Sequence, residues 1–284
     1  MFTITSYATA LLALASSPQD RPIRYEGVKH ERAYYHLVYV DVASNRVTAS
    51  TVHSPTLTSV WNMIRPQQPS VAITGTFFAP RAGRPVAEVL VDGELKAQGK
   101  RGSVLAVDWN GLVHIHDSGL SKDFDWQEFR SGLRGAVRLI RDGKACPNPQ
   151  AQGFRDRRLW GKAARTGVGV KKDGTLVLAA TKAHVTLTQL ARVLLSRGAV
   201  EAVSLDGGGS TMLYYRGKMV VSPLRRLNNL FVVYERSPFD SLAAANGAKA
   251  KAPKPKQLPP QPHPDTVQPL DPPPAAKDGG RTKA

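Results

Sequence analysis

With 284 residues and 42% hydrophobic content the chain is long enough for a substantial core, and its 39 basic against 22 acidic residues leave a net charge of +17. That balance favours anionic partners: nucleic acid, anionic lipid or a phosphate-bearing substrate. One cysteine, Cys146, excludes an intrachain disulfide, and no stretch reaches the ~18 apolar residues that a membrane-spanning helix needs.

Residues 1–24 hold an Ala/Leu run that ends in small residues but lacks a basic segment before it, and read as a flexible or signal-like start. "YYHLVYVDV" and "RVTASTV" predict two strands turning at Ala43-Ser44-Asn45. Ser54 as cap and Pro55 at the first position predict a helix with Leu57, Val60, Trp61 and Ile64 on one face, stopped by Pro66. "SVAIT" reads as a short buried strand leading into Gly75-Thr76-Phe77-Phe78. Hairpins follow in "AEVLVDGELKAQ", "SVLAVDWNGLVHIH", "AVRLIRDGKA" and "RTGVGVKKDGTLVLAAT", each broken by Asp-Gly or Asn-Gly. Thr186 and Gln189 form a capping box for a helix from Leu187 to Arg197, and Gly198 ends it. "AVEAVSLD" is a strand delivering Asp206, and "NNLFVVYE" is the last one. The expected architecture is α+β: one domain over residues 25–238, with a mixed, largely antiparallel sheet built from hairpins and two main helices packed on it. Residues 239–284 form a Pro/Lys/Ala-rich tail with almost nothing to bury, expected to be disordered.

The segment "VSLDGGGSTMLYYRGK" carries the chemistry. Gly207, Gly208 and Gly209 lie between two apolar strands, where a linker has no place. Three consecutive glycines lose conformational entropy on folding, so something must need positive φ angles or bare backbone there, in a ligand-facing site or in a purely structural turn. Backbone N–H groups that form an anion nest supply the reason, and Ser210 and Thr211 add hydroxyls. The segment is not a P-loop, because no Lys-Ser/Thr follows and the glycines precede a strand. In "RTGVGV", Arg165, Gly167 and Gly169 share one strand face, and the glycines leave space beside a guanidinium suited to phosphate, or Arg165 is one surface arginine among many. "TGTFF", Thr74 to Phe78, puts polar atoms at a sheet end. Its phenylalanines fit either a sugar platform or the core.

The segments "AITGTFF", "AVRLIRDGK", "ARTGVGVKKDG" and "VEAVSLDGGGSTMLYYRGK" resemble, in order and spacing, those of the phosphodiester glycosidase family. That family includes the enzyme that uncovers a sugar phosphate by removing N-acetylglucosamine, and bacterial relatives labelled as exopolysaccharide biosynthesis proteins. The resemblance covers roughly residues 71–235. It implies hydrolysis of a sugar phosphodiester in an exported or envelope setting; no cofactor and no metal ligands are read from the residues. Carried over by residue, it points to Asp206, Gly207, Gly208, Gly209, Ser210, Arg165, Thr166, Gly75, Phe77 and Phe78, with Thr74, Thr76 and Thr211 beside them as substrate-binding candidates. The family has Asn where this chain has Thr74, and often two serines where it has Ser210-Thr211.

On this reading Asp206 is nucleophile, base or holder of sugar hydroxyls, Arg165 neutralises the phosphate, and Glu88 is either a second carboxylate or an exposed strand glutamate. The partner is then a sugar phosphodiester or anionic glycan. An alternative is a module that holds a glycan phosphate uncut. Nucleic-acid binding has the charge and the clusters Arg130, Arg134, Arg138, Arg141 and Arg155, Arg157, Arg158, but interrupting glycines and the lack of a recognition motif argue against it. His114 and His116 share a strand face with no third ligand nearby, and Cys146 has no base partner.

Overall fold

The computed structural model describes residues 21–79, 82–118 and 122–235; the Ala/Leu-rich start and the Pro/Lys-rich tail lie outside them. In chain order the strands are β1 (Ile23–His30), β2 (Ala33–Val40), β3 (Val47–Thr58), β4 (Val71–Thr74), β5 (Val89–Val91), β6 (Glu94–Ala97), β7 (Ser103–Asp108) and β8 (Val113–His116). They continue as β9 (Phe129–Arg141), β10 (Lys144–Ala145), β11 (Ala163–Lys171), β12 (Leu176–Val185), β13 (Ala199–Ser204), β14 (Leu213–Tyr215), β15 (Lys218–Val221) and β16 (Leu227–Glu235). Helix α1 (Val60–Gln67) follows β3, and α2 (Leu187–Ser196) joins β12 to β13. Among the described residues no helix is long and apolar enough to cross a membrane.

The strands form two antiparallel sheets. The larger runs β1-β2-β12-β11-β13-β9-β5-β6, with β7 and β10 also on β9 and β8 on β7; the smaller runs β15-β14-β4-β16-β3. Asp92-Gly93 and Asp142-Gly143 turn their hairpins with both residues at positive φ (47° and 79°, 48° and 71°), as two-residue turns matched to strand twist require.

The two sheets stack. Val38, Leu178, Val168 and Val203 of the larger meet Ile73, Phe231 and Leu213 of the smaller in one buried cluster. On the outer face of the larger sheet, α2 buries Leu187, Leu190, Ala191 and Leu194 against Leu37, Val177 and Ala202. Its expected capping box is present: Thr186 Oγ1 accepts the Gln189 N–H at 3.2 Å and Gln189 Oε1 accepts the Thr186 N–H at 3.0 Å. On the outer face of the smaller sheet, α1 packs Val60, Met63 and Ile64 onto Ala72, Leu230 and Val232.

Five sequence expectations change. The single sheet is two. The strand expected to end at Val52 runs on to Thr58, because β3 is an edge strand where Pro55 loses no ladder bond. The helix therefore starts at Val60, and it passes Pro66 before Gln68 turns left-handed and donates to Ile64 O at 2.8 Å. β1 begins at Ile23, inside the stretch expected to be flexible, and pairs along its whole length with β2. Finally, the space beside Gly167 and Gly169 is filled by β13 and α2: a Cβ on Gly167 would press on Val203 O and Leu190, and one on Gly169 on Ala199 and Leu194.

Candidate functional site

The site lies where a strand end of each sheet meets the other. β13 stops at Ser204 and β4 at Thr74, and the Asp206 N–H donates to Gly75 O at 3.0 Å, tying the two ends together. Thr166 Oγ1 of β11 donates to Asp206 O at 2.6 Å. The chain then passes Gly207, where a Cβ would come within 2.6 Å of Ala164 O, and enters a single 3-10 turn, Gly208–Ser210. Gly208 has φ +57° and nothing within 4 Å of its would-be Cβ, so its outer side is open. No hydrogen bond among the described residues uses the N–H of Gly208 or Gly209. Two unspent donors at the start of a turn make an anion-attracting end.

The Asp206 carboxylate lies beneath this turn and is 5% exposed. Oδ1 accepts the Gly207 N–H at 2.9 Å, and Oδ2 accepts Arg225 Nη2 at 3.0 Å. Arg225 Nε donates to Ser210 Oγ at 2.6 Å, and its guanidinium carbon sits 4.7 Å over the Phe78 ring. Burial pushes the Asp206 carboxyl above the usual range, while Ser210, Arg225 and the Gly207 N–H pull against it.

The remaining threonines and aromatics surround this centre. Thr74 Oγ1 donates to Ser210 O at 2.5 Å and accepts the Met212 N–H at 2.9 Å, so it clamps the far end of the turn onto β4. Thr76 N–H donates to Asn229 Oδ1 at 2.6 Å, and Asn229 Nδ2 donates to Thr76 O at 3.2 Å. The side-chain hydroxyls of Thr76 and Thr211 are buried without a hydrogen-bond partner among the described residues. Phe77 packs on Phe154 with centroids 5.5 Å apart on the α2 side, and Phe78 joins the α1 side under Arg225.

Two other expected residues are spent elsewhere. Arg165 is 3% exposed, and its guanidinium donates to four backbone carbonyls: Gly161 O at 2.6 Å, Leu159 O at 3.0 Å, Val185 O at 3.3 Å and Arg158 O at 3.4 Å. It holds the 158–161 loop beside the glycine turn. Glu88 is not an exposed strand glutamate. It is 6% exposed and accepts Arg134 Nη1 at 2.9 Å; Arg134 also reaches Ser118 Oγ and Lys122 O. Burial pushes the Glu88 carboxyl up, and Arg134 opposes it.

The regularly spaced arginines of β9 form no basic face, since Arg134 and Arg138 are buried and Arg130, Arg138 and Arg141 pair with Asp92, Glu201 and Asp117. His114 bonds Asp108 at 2.9 Å and stacks on His116. Two clefts, of about 230 and 320 Å³, run along β3 around His53 and share no residue with the glycine turn. At the turn itself, the outer side of Gly208 is open while Asp206, Ser210 and Thr211 are buried.

A family model described as phosphodiester glycosidase matches residues 67–234, from the end of α1 to the end of β16. The chain belongs to the phosphodiester glycosidase family. Among curated proteins, the N-acetylglucosamine-1-phosphodiester alpha-N-acetylglucosaminidase of Bos taurus is 28% identical over 176 residues, 56% of this chain. Its Mus musculus counterpart is 26% identical over 170 residues, 54% of this chain. The match spans 33% of each relative's length. Among solved structures, the zebrafish catalytic domain of the same name, auto-inhibited by its pro-peptide, aligns with a TM-score of 0.63 at 20% identity, over 75% of this chain and 82% of that one. A hypothetical protein from Synechocystis aligns with a TM-score of 0.62 at 16% identity, over 76% and 62%. These structural likenesses show a shared fold.

Sequence reasoning passed over three residues of the site: Arg225, Asn228 and Asn229. A signal for the amides was present, because two asparagines open a strand that is otherwise apolar. Both are buried, and Asn228 Nδ2 reaches Gly83 O at 2.6 Å. Arg225 had no signal beyond being one of two adjacent arginines.

Proposed function

We propose that this chain hydrolyses a sugar phosphodiester of the N-acetylglucosamine 1-phosphodiester kind, in envelope or exopolysaccharide metabolism. A glycosidase activity is supported by the family and by the names of its curated relatives. The observation that carries the reading to a phosphodiester is the glycine turn, whose Gly208 and Gly209 N–H groups are unspent and open beside Asp206. The bond broken joins the anomeric carbon to a phosphate oxygen. Its electron pair leaves with the phosphate, water adds a hydroxyl to the anomeric carbon, and the water's other proton goes to the phosphate or to solvent. Phosphate is a good leaving group, so donors that stabilise its charge matter more than a strong acid. Asp206 is the carboxylate on which the site depends.

The second reading, a module that holds a glycan phosphate uncut, is favoured by both Asp206 oxygens being engaged. Release of N-acetylglucosamine from its para-nitrophenyl-phosphate and UDP diesters separates the two. Turnover by the wild type that is lost in Asp206→Ala supports the hydrolase; saturable binding without product supports the module.

A further inference from the structure

We propose that Arg225 is the phosphate-binding residue of this site, and that Asp206 acts through it as a positioning carboxylate. The inference rests on the reading that the ligand is a sugar phosphodiester.

The charged groups at the site differ in the donors they have to spare. Arg165 offers less, since the residue is 3% exposed and four backbone carbonyls take its Nε and Nη2, leaving only Nη1 outside those bonds. Arg225 is held on three sides instead. Nε is fixed by Ser210 Oγ, Nη2 by Asp206 Oδ2, and the guanidinium face by Phe78. Its stem runs past Gly209, where a Cβ would lie 3.7 Å from Cδ. Yet the side chain is 40% exposed, and no hydrogen bond among the described residues uses Nη1. A guanidinium fixed along one edge and open along the other is a prepared half of a two-pronged phosphate contact. The unspent N–H groups of Gly208 and Gly209 stand on the same turn that Arg225 grips, so one phosphate can take both kinds of donor.

Asp206 fits the complementary part. At 5% exposure, with one oxygen on the Gly207 N–H and the other on Arg225, it is turned toward the turn and the guanidinium. Where it stands, it fixes the fork and keeps a cation at the turn. Thr166, Gly75 and Gly207 in turn fix Asp206.

The two roles for Asp206 predict opposite effects on phosphate. A carboxylate that touches the substrate repels phosphate, so Asp206→Asn would leave phosphate binding unchanged or tighten it. A carboxylate that positions Arg225 supports phosphate binding, so the same substitution weakens it despite removing a negative charge. The experiment titrates the full chain with inorganic phosphate, N-acetylglucosamine 1-phosphate and free N-acetylglucosamine. Each is read by calorimetry for the wild type, Arg225→Gln, Arg225→Lys, Asp206→Asn, Ser210→Ala and the neighbouring control Arg226→Gln, with near-UV circular dichroism to verify folding. Arg225→Gln is expected to weaken both phosphates roughly 10- to 100-fold while leaving the free sugar unaffected. Arg225→Lys should restore part of the loss, and Arg226→Gln should lose nothing. Should Arg225→Gln not fold, Ser210→Ala, which removes the Nε partner and the Ser210 pull on Asp206, is expected to weaken both phosphates about threefold to tenfold. Undiminished phosphate binding in Arg225→Gln, or in Ser210→Ala if that must stand in for it, or unchanged or tighter binding in Asp206→Asn, overturns the proposal. A wild type that binds phosphate through Arg225 but hydrolyses no phosphodiester ends the hydrolase reading alone. A wild type that binds neither phosphate ends both.

Discussion

Replacing Arg165 with methionine separates a scaffold role from a phosphate-binding one. The methionine keeps most of the aliphatic stem and removes every donor. Of the four bonds lost, those to Gly161 O (2.6 Å) and Leu159 O (3.0 Å) are short, and those to Val185 O and Arg158 O (3.3 and 3.4 Å) are long. A hydrogen bond from a charged donor contributes about 1.5–3 kcal/mol, so the two short ones together give about 3–6 kcal/mol. Burial of the guanidinium works against this, as the lowering of its pKa by desolvation indicates. The net loss should therefore fall near the low end, about 3 kcal/mol. Urea unfolding measures it, and hydrogen exchange over residues 158–161 should show the loop opening. KM for a phosphodiester should change little at temperatures where the variant is folded. A variant as stable as wild type to within about 0.5 kcal/mol, with KM raised tenfold or more, would refute the scaffold reasoning.

Three further outcomes are expected. Glu88→Ala leaves the Arg134 guanidinium buried without its carboxylate and should cost about 3–5 kcal/mol in thermal or urea unfolding, with Glu88→Gln milder; an undiminished midpoint would contradict the buried pair. Thr211→Val removes a buried hydroxyl that has no partner and should stabilise the fold by up to about 1 kcal/mol without loss of turnover, whereas lost turnover would mean that the hydroxyl meets the ligand. The Asp206 carboxyl, raised by burial, should place the acid limb of kcat/KM above the ordinary carboxylate range. Arg225→Gln removes a downward pull and should move that limb higher still. The same sign applies to stability: a raised carboxyl contributes fully below its ordinary pKa, and the contribution fades as pH rises through the folded value.

Local chemistry was legible wherever one short segment decides the outcome. Asp92-Gly93 and Asp142-Gly143 need positive φ, and Thr186 with Gln189 closes a cap within one turn, so hairpins and α2 could be read directly. What pairs across the chain was not legible. Pro55 has the marks of a helix start, but β3 carries it in the unpaired stretch between His53 and Thr58, both of which pair with β16 far along the sequence. The glycine turn was readable as a site since bare backbone between two apolar strands has few other uses. Its arginine was not. Arg165 and Arg225 look alike in sequence, and only the packing shows one guanidinium buried among carbonyls and the other half-open over Phe78. Glu88 failed for the same reason, since its partner Arg134 lies far along the chain, on β9.

The most direct test of the central claim is hydrolysis of an N-acetylglucosamine 1-phosphodiester in oxygen-18 water, with the label located by mass spectrometry. Cleavage between the anomeric carbon and the phosphate oxygen puts the label on the released sugar, and Asp206→Asn should lose that product. Label in the phosphate monoester would mean phosphorus–oxygen cleavage, and an unlabelled, intact diester would mean no hydrolysis. Either would contradict the account.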